Sequence, residues 1–181
     1  VLAVRVPRGW YQKTGQARLA DTGRRAVSAI YLDQPFERQA LLIRLAFPEA
    51  RRVGVLLSAG QRGLVDDIEA GLRAQKLALS YELVSEDQRL ALPLESVLTE
   101  ADVLLAVPDP QVLNASTAQS LLLTSYRYRD PVVGYSRSLT RAGALLSLHS
   151  SPAQIGRQAA AWVSNALNAP AVRLPPPAYP A

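Results

Sequence analysis

Cysteine and methionine are both missing from this 181-residue chain, and histidine occurs once. Without thiols there are no disulfides, no thiolate metal sites and no cysteine nucleophile, in either redox compartment. A single imidazole cannot furnish a zinc site of ordinary type. Lysine is scarce as well: of the 20 basic residues only Lys13 and Lys76 are lysines, the rest being arginines. No apolar run approaches the roughly 18 residues that a membrane-spanning helix needs. No basic segment followed by an apolar one marks a leader, and the chain starts at Val1, so a signal peptide is expected only in a precursor.

What is present is a globular composition, 49% hydrophobic and 19% charged, on a chain long enough to bury a core. The net charge is +5, but the arginines are scattered singly or in pairs such as Arg24-Arg25 and Arg51-Arg52. A nucleic-acid binder gathers such charge on one face, so nucleic acid is not an expected partner. The tract Tyr126-Arg127-Tyr128-Arg129 mixes aromatic and basic residues as single-strand binders do. It falls at an expected helix C-terminus, where the helix dipole favours cations.

Along the chain, Val1 to Val6 reads as a buried strand ended by Pro7, and residues 8 to 25 as a polar stretch with turn formers. A strand from Ala26 to Leu32 follows. Asp33 is placed to cap a helix that holds Pro35 in its first turn and ends at Pro48. That helix is apolar almost all round, with Phe36, Leu42, Ile43 and Phe47 expecting cover on more than one side. From Arg52 the pattern is regular. Strands are predicted over 53–57, 79–84, 103–107, 131–135 and 144–148, with helices over 61–76, 85–100 and 114–128 between them, the last capped by Asn114. A final helix begins with Ser151 as cap, Pro152 at its first position and Gln154 three residues on. Its inward face is Ile155, Ala159, Trp162, Val163 and Ala166. The tail 170–181 is rich in proline and expected to be extended or disordered.

Strands alternating with helices across short turns predict an α/β, doubly wound parallel sheet, a Rossmann-like lobe, with strand order 2-1-3-4-5. Ligands of such a sheet sit beyond the carboxyl ends of its strands. That rule selects Ser58, Asp109, Tyr135, Ser136 and His149, short polar groups with one aromatic ring, as candidate ligand-binding residues. Each has a plainer reading: Asp109 as a turn residue before proline, Ser58 as a helix cap, His149 as a structural hydrogen-bonder. No catalytic residue is assigned. There is no Gly-x-Gly-x-x-Gly after the first strand of the lobe and no Gly-Lys-Ser/Thr loop to cradle phosphates. A serine triad would have to use His149, and no serine stands in a Gly-x-Ser-x-Gly elbow. No metal or cofactor is expected.

Three stretches resemble one family. Ser28-Ala-Ile-Tyr-Leu-Asp-Gln-Pro35, running on to Pro48-Glu-Ala-Arg-Arg-Val-Gly-Val55, is similar to the interlobe segment of ABC-transporter substrate-binding proteins of the tryptophan/tyrosine type. Ala101-Asp-Val-Leu-Leu-Ala-Val-Pro-Asp-Pro110 resembles their central strand and binding turn. Pro131-Val-Val-Gly-Tyr-Ser136, followed by Ala142 to Leu145 and Ser151-Pro152 to Gln158, resembles their end. The resemblance implies one lobe of a type I periplasmic-binding fold, with most of the first lobe absent. Residues 1–51 would be the remnant of that lobe and the connection, 52–148 the ligand-binding lobe, 149–169 a return helix and 170–181 a Pro-rich tail. It further implies a periplasmic, non-enzymatic receptor that closes on a small organic solute and meets an ABC permease. Self-association of the fragment is expected through its uncovered helix. A ligand-sensing regulatory domain on the same fold is the alternative.

Overall fold

The computed structural model describes residues 1–15, 17–18, 27–85, 89–168 and 174–181. The chain falls into two compact units, one of residues 35–148 and one of 1–34 with 149–181.

The larger unit is built on five parallel strands: β3 (Arg52–Ser58), β4 (Ala78–Val84), β5 (Val103–Leu105), β6 (Val132–Gly134) and β7 (Leu146–Ser147). Their order across the sheet, β4-β3-β5-β6-β7, is the expected 2-1-3-4-5 order. The helices are α1 (Phe36–Ala46), α2 (Val65–Arg73), α3 (Ala91–Glu100), α4 (Ala118–Tyr128) and the short α5 (Arg137–Ala142).

The pleat of each strand sorts its side chains onto two faces. Val53, Val55 and Leu57 of β3, with Val103 and Leu105 of β5, join Ala40 and Ile43 of α1 and Ile68 and Leu72 of α2. Leu56, Leu104 and Val132 face the other way, onto Leu94 and Val97 of α3 and Leu121 and Leu122 of α4. Both faces are covered, which is why these strands read as continuous apolar runs. Gly54 allows α3 to approach: a Cβ there would lie 2.4 Å from Val97 Cγ1.

Several expectations shift in detail. The helix expected over 85–100 begins at Ala91, which places Pro93 in the first turn, where its missing N–H breaks no helical bond. Residues 86–88 lie outside the described ones. Asn114 does cap its turn, its Oδ1 accepting from the Ser116 and Thr117 amides at 2.9 and 3.2 Å, although α4 proper starts at Ala118. The helix α1 folds onto its own sheet. Ile43 is fully buried, and Phe36, Leu42 and Phe47 pack against the same core. The large apolar side chains of α1 that stay outside are Leu41 and Leu45. They lie four residues apart and share one helical face, turned away from Ala40 and Ile43.

In the smaller unit β1 (Leu2–Val6) pairs in parallel with β2 (Ser28–Tyr31). Residues 8–15, expected to be irregular, form a helical turn (Arg8–Trp10) and a π-turn (Tyr11–Gly15). Tyr11 is buried there, its ring edge-on to Tyr31, which in turn meets Tyr179. Asp33 does not cap α1. Its Oδ2 accepts the Arg8 amide at 2.6 Å, and α1 starts behind Pro35 with no side-chain cap. Residues 16 and 19–25 of the polar stretch expected over 8–25 lie outside the described ones.

The last helix, α6 (Pro152–Asn168), has the expected reciprocal cap. Ser151 Oγ accepts from the Gln154 amide at 3.2 Å, and Gln154 Oε1 accepts from the Ser151 amide at 2.8 Å. Of its predicted inward face Ile155 and Ala166 are buried, but Val163 is exposed. Within 174–181 the tail is extended, and Ala178 bridges Ile30 in parallel, exchanging backbone bonds with Ala29 and Tyr31 at 2.9 Å. Proline does not prevent this pairing, because Ala178 supplies the N–H.

Candidate functional site

The candidate residues of the larger unit gather at the carboxyl edge of its sheet. Ser58 ends β3, Asp109 follows β5 and the buried residues Ala106 and Val107, and Tyr135 and Ser136 follow β6. The parallel register puts all of these strand ends on one side, whatever their separation in sequence.

Asp109 joins two of them. Its Oδ2 accepts the Ser58 backbone amide at 2.7 Å, and its Oδ1 accepts the Gln111 amide at 3.1 Å. Its own carbonyl accepts from Val112 and Leu113 at 3.1 and 2.7 Å, which winds the following turn. Asp109 is 2% exposed and Ser58 3%. A buried carboxylate needs such donors, since each oxygen left bare would cost a large desolvation penalty. Tyr135 is half-buried beside this group. Burial raises its phenol pKa above the ordinary value, and the Asp109 charge raises it further. The ring therefore presents an uncharged hydroxyl at neutral pH.

Ser136 combines the plain role with an accessible position. Its Oγ accepts the Leu139 amide at 3.3 Å and so caps α5, a helix outside those expected from the sequence. The signal for it, Ser136 before Arg137-Ser138-Leu139, is a capping serine followed by only six helical residues, too short to show periodicity. Ser58, by contrast, makes no side-chain cap to the 3₁₀ turn Ala59–Leu64 that follows it. Within the core lies a void of about 10 Å³, too small for an organic ligand and lined only by buried apolar side chains, among them Leu56, Leu105, Val107, Val112, Leu113 and Leu121. His149 is exposed and is the first residue of the smaller unit after the chain leaves the sheet.

Among the described residues no group of three or more His, Cys, Asp or Glu side chains is placed to hold a metal ion. No described helix is long and apolar enough to cross a membrane. The edge offers short hydrogen-bonding groups at the strand ends, of the kind that orient a small polar molecule.

The five-stranded parallel sheet with helices on both faces is the architecture of the periplasmic binding proteins. The chain belongs to the ABC transporter substrate binding protein family, whose family model matches residues 24–175. Among solved structures it is similar to a conserved domain protein from Vibrio cholerae, with TM-score 0.65, 21% identity and coverage of 86% of this chain and 53% of that one. It is also similar to an ABC domain in complex with L-Trp from Streptococcus pneumonia, with TM-score 0.64, 17% identity and coverage of 85% and 53%. A third is a ligand-free, open substrate-binding protein with adhesive properties from Clostridium difficile, with TM-score 0.58, 16% identity and coverage of 85% and 52%. The chain thus spans about half the length of each of these structures. No curated protein sequence matches it.

Proposed function

We propose that the chain supplies one wall of the ligand site of an ABC-importer receptor, which captures a small organic solute, an amino acid, by hinge closure and without covalent chemistry. The observation that carries this reading is the meeting of Ser58, Asp109, Tyr135 and Ser136 at the carboxyl edge of the sheet in a member of the substrate-binding family. In the proposed site Tyr135 and Ser136 meet the ligand at the rim, and Ser58 and Asp109 form the base beneath them. His149 is exposed and is retained as a further candidate contact. The receptor would act outside the cytoplasmic membrane and pass its ligand to a permease. Family membership supports both steps, and the L-Trp complex of the Streptococcus relative supports an amino acid as the solute.

Calorimetry on the complete gene product carrying this chain, against the common amino acids, tests the proposal. Binding of at least one of them in the micromolar range or tighter is expected, and it should weaken in Tyr135→Ala. If none binds, or if Tyr135→Ala binds unchanged, the reading is wrong.

A further inference from the structure

The arginines are scattered along the sequence, but the net charge is not. Residues 1–109 hold fourteen basic and fourteen acidic side chains, so the whole charge of +5 arises after Asp109. There six arginines stand against a single carboxylate, Asp130, whose Oδ2 is buried. The fold collects four of the six on α4, on α5 and at the residue that ends α4.

Both helices turn these arginines outward. α4 buries Leu121, Leu122 and Ser125, which leaves Leu123 and Arg127, four residues apart, on its outer side with Tyr126 beside them. α5 buries Leu139, and Arg137 and Arg141, also four apart, lie opposite it. The two helices are neighbours in one layer. Leu122 and Leu139 share a core cluster, and a Cβ on Gly143 would lie 3.9 Å from Leu122 Cδ1. Their outer sides therefore form one continuous surface. Arg127, Arg129, Arg137 and Arg141 are all exposed, and among the described residues none of their guanidinium groups has an ion pair or a hydrogen bond. Tyr126 is 82% exposed and Leu123 57%. The acidic residues of the same layer, Glu95 and Glu100, belong to α3, which packs on the other side of α4.

Helix stability does not account for the set. The dipole favours Arg127 and Arg129 at the end of α4, but Arg137 is the first residue of α5, where a cation is disfavoured. No acidic side chain in that first turn offsets it. Unpaired guanidinium groups beside an exposed phenol and leucine suit a surface that is anionic outside and apolar beneath. Arginine meets phosphate there, while the ring and the aliphatic chain enter the headgroup boundary. A soluble acidic partner would match the charge but gives Tyr126 and Leu123 no apolar layer to enter.

We propose that the outer side of α4 and α5 is a membrane-binding face: Arg127, Arg129, Arg137 and Arg141 hold it to an anionic phospholipid surface, and Tyr126 and Leu123 enter the headgroup layer. The inference is independent of the ligand-site reading above.

Vesicle flotation of the complete gene product, in water-soluble form, tests it. Phosphatidylcholine vesicles with about one third phosphatidylglycerol should carry the protein, and phosphatidylcholine alone should not. Salt at about 0.5 M should release it, because exposed charges are then screened. Arg127→Gln, Arg137→Gln and Arg141→Gln should each weaken binding about fivefold, and the triple variant about a hundredfold, at an unchanged melting temperature. Arg62→Gln removes the same charge from the 3₁₀ turn after β3 and should change binding less than about twofold. Leu123→Ser with Tyr126→Ser should also weaken it about fivefold or more; an unchanged affinity there overturns the insertion of these two side chains. Equal flotation with both vesicle types, a triple variant that binds as the parent does, or an equal loss in Arg62→Gln overturns the face. Should the triple variant fail to fold, the three single variants decide. A parent that ignores vesicles overturns the proposal outright, and its binding to polyglutamate or a single-stranded oligonucleotide would make the partner a soluble polyanion instead.

Discussion

Asp130 and Asp102 stand side by side at the amino edge of the sheet, each just ahead of a strand, and burial and the Asp102 charge together push the Asp130 carboxyl up to about 6. The two carboxyls meet opposite surroundings. Asp102 Oδ2 accepts the amides of Arg51 and Arg52 at 2.8 and 2.9 Å, and these bonds hold its pKa below the ordinary value. Asp130 Oδ2 is buried and has no hydrogen-bond partner.

The sign of the resulting pH dependence follows from the directions. The Asp130 pKa is higher in the folded than in the unfolded chain, so its ionisation opposes folding. That cost is absent below the ordinary carboxyl value of 3.8, grows as pH rises toward 6, and stays constant above. Asp102 behaves oppositely, and its stabilisation is lost as pH falls below its unfolded pKa. Asp130→Asn should therefore stabilise the protein at pH 7.5 by about 1–2 kcal/mol, a figure reduced for solvent screening. It should also abolish the gain in melting temperature that the parent shows between pH 7.5 and 5. Calorimetric melts across that range check it. A variant that melts no higher at pH 7.5 and keeps the same acid gain refutes the assignment.

Arg44 of α1 makes a second testable point. Its guanidinium donates to four backbone carbonyls, those of Pro48, Ala50, Gln75 and Lys76, at 2.8–3.3 Å. It thereby joins the loop before β3 to the turn before β4, where Lys76 adopts a left-handed conformation with φ 56°. Arg44→Met, which keeps the apolar stem, should cost about 2–3 kcal/mol, since hydrogen bonds to a charged donor are worth more than neutral ones. Arg44→Lys should recover less than half of the loss, because an ammonium cannot span carbonyls in two loops. Urea melts of both variants supply the measurement, and a parent-like midpoint for either would contradict the account.

The sheet was legible because its signal is local and repeated. Val53 to Leu57 and Val103 to Val107 are apolar without interruption, and short turns join them to the flanking helices, so a parallel order with both faces covered follows. The edge that carries the candidate site followed from that topology. The states of its members were not legible. Asp109 reads as a turn residue from its neighbours, and its main partner, the Ser58 amide, is 51 positions away. Asp33 shows the same limit. Its position before Pro35 fits a helix cap, but the Arg8 amide, 25 residues upstream, takes the carboxylate. Tyr11 lies in a segment too polar to suggest a core, and its burial follows from packing with Ala29 and Tyr31, whose ring in turn meets Tyr179.

The exposed leucines of α1 carry the last prediction. Leu41 and Leu45 are 46% and 70% exposed, while Ala40 and Ile43 on the opposite face are fully buried. Each Å² of apolar surface removed from water is worth about 25 cal/mol, so the stripe favours contact with another apolar surface but is too small to force it alone. We propose that a second copy of the chain covers it at high concentration. Sedimentation of the 181-residue chain should show reversible self-association that strengthens from micromolar to millimolar concentration. The double substitution Leu41→Gln with Leu45→Glu removes the stripe with two good helix formers. Because neither side chain belongs to the packed face, thermal stability should change by no more than about 0.5 kcal/mol. Self-association should disappear in the same variant. A parent chain that stays monomeric at millimolar concentration, or a double variant that associates as the parent does, would place the contact elsewhere.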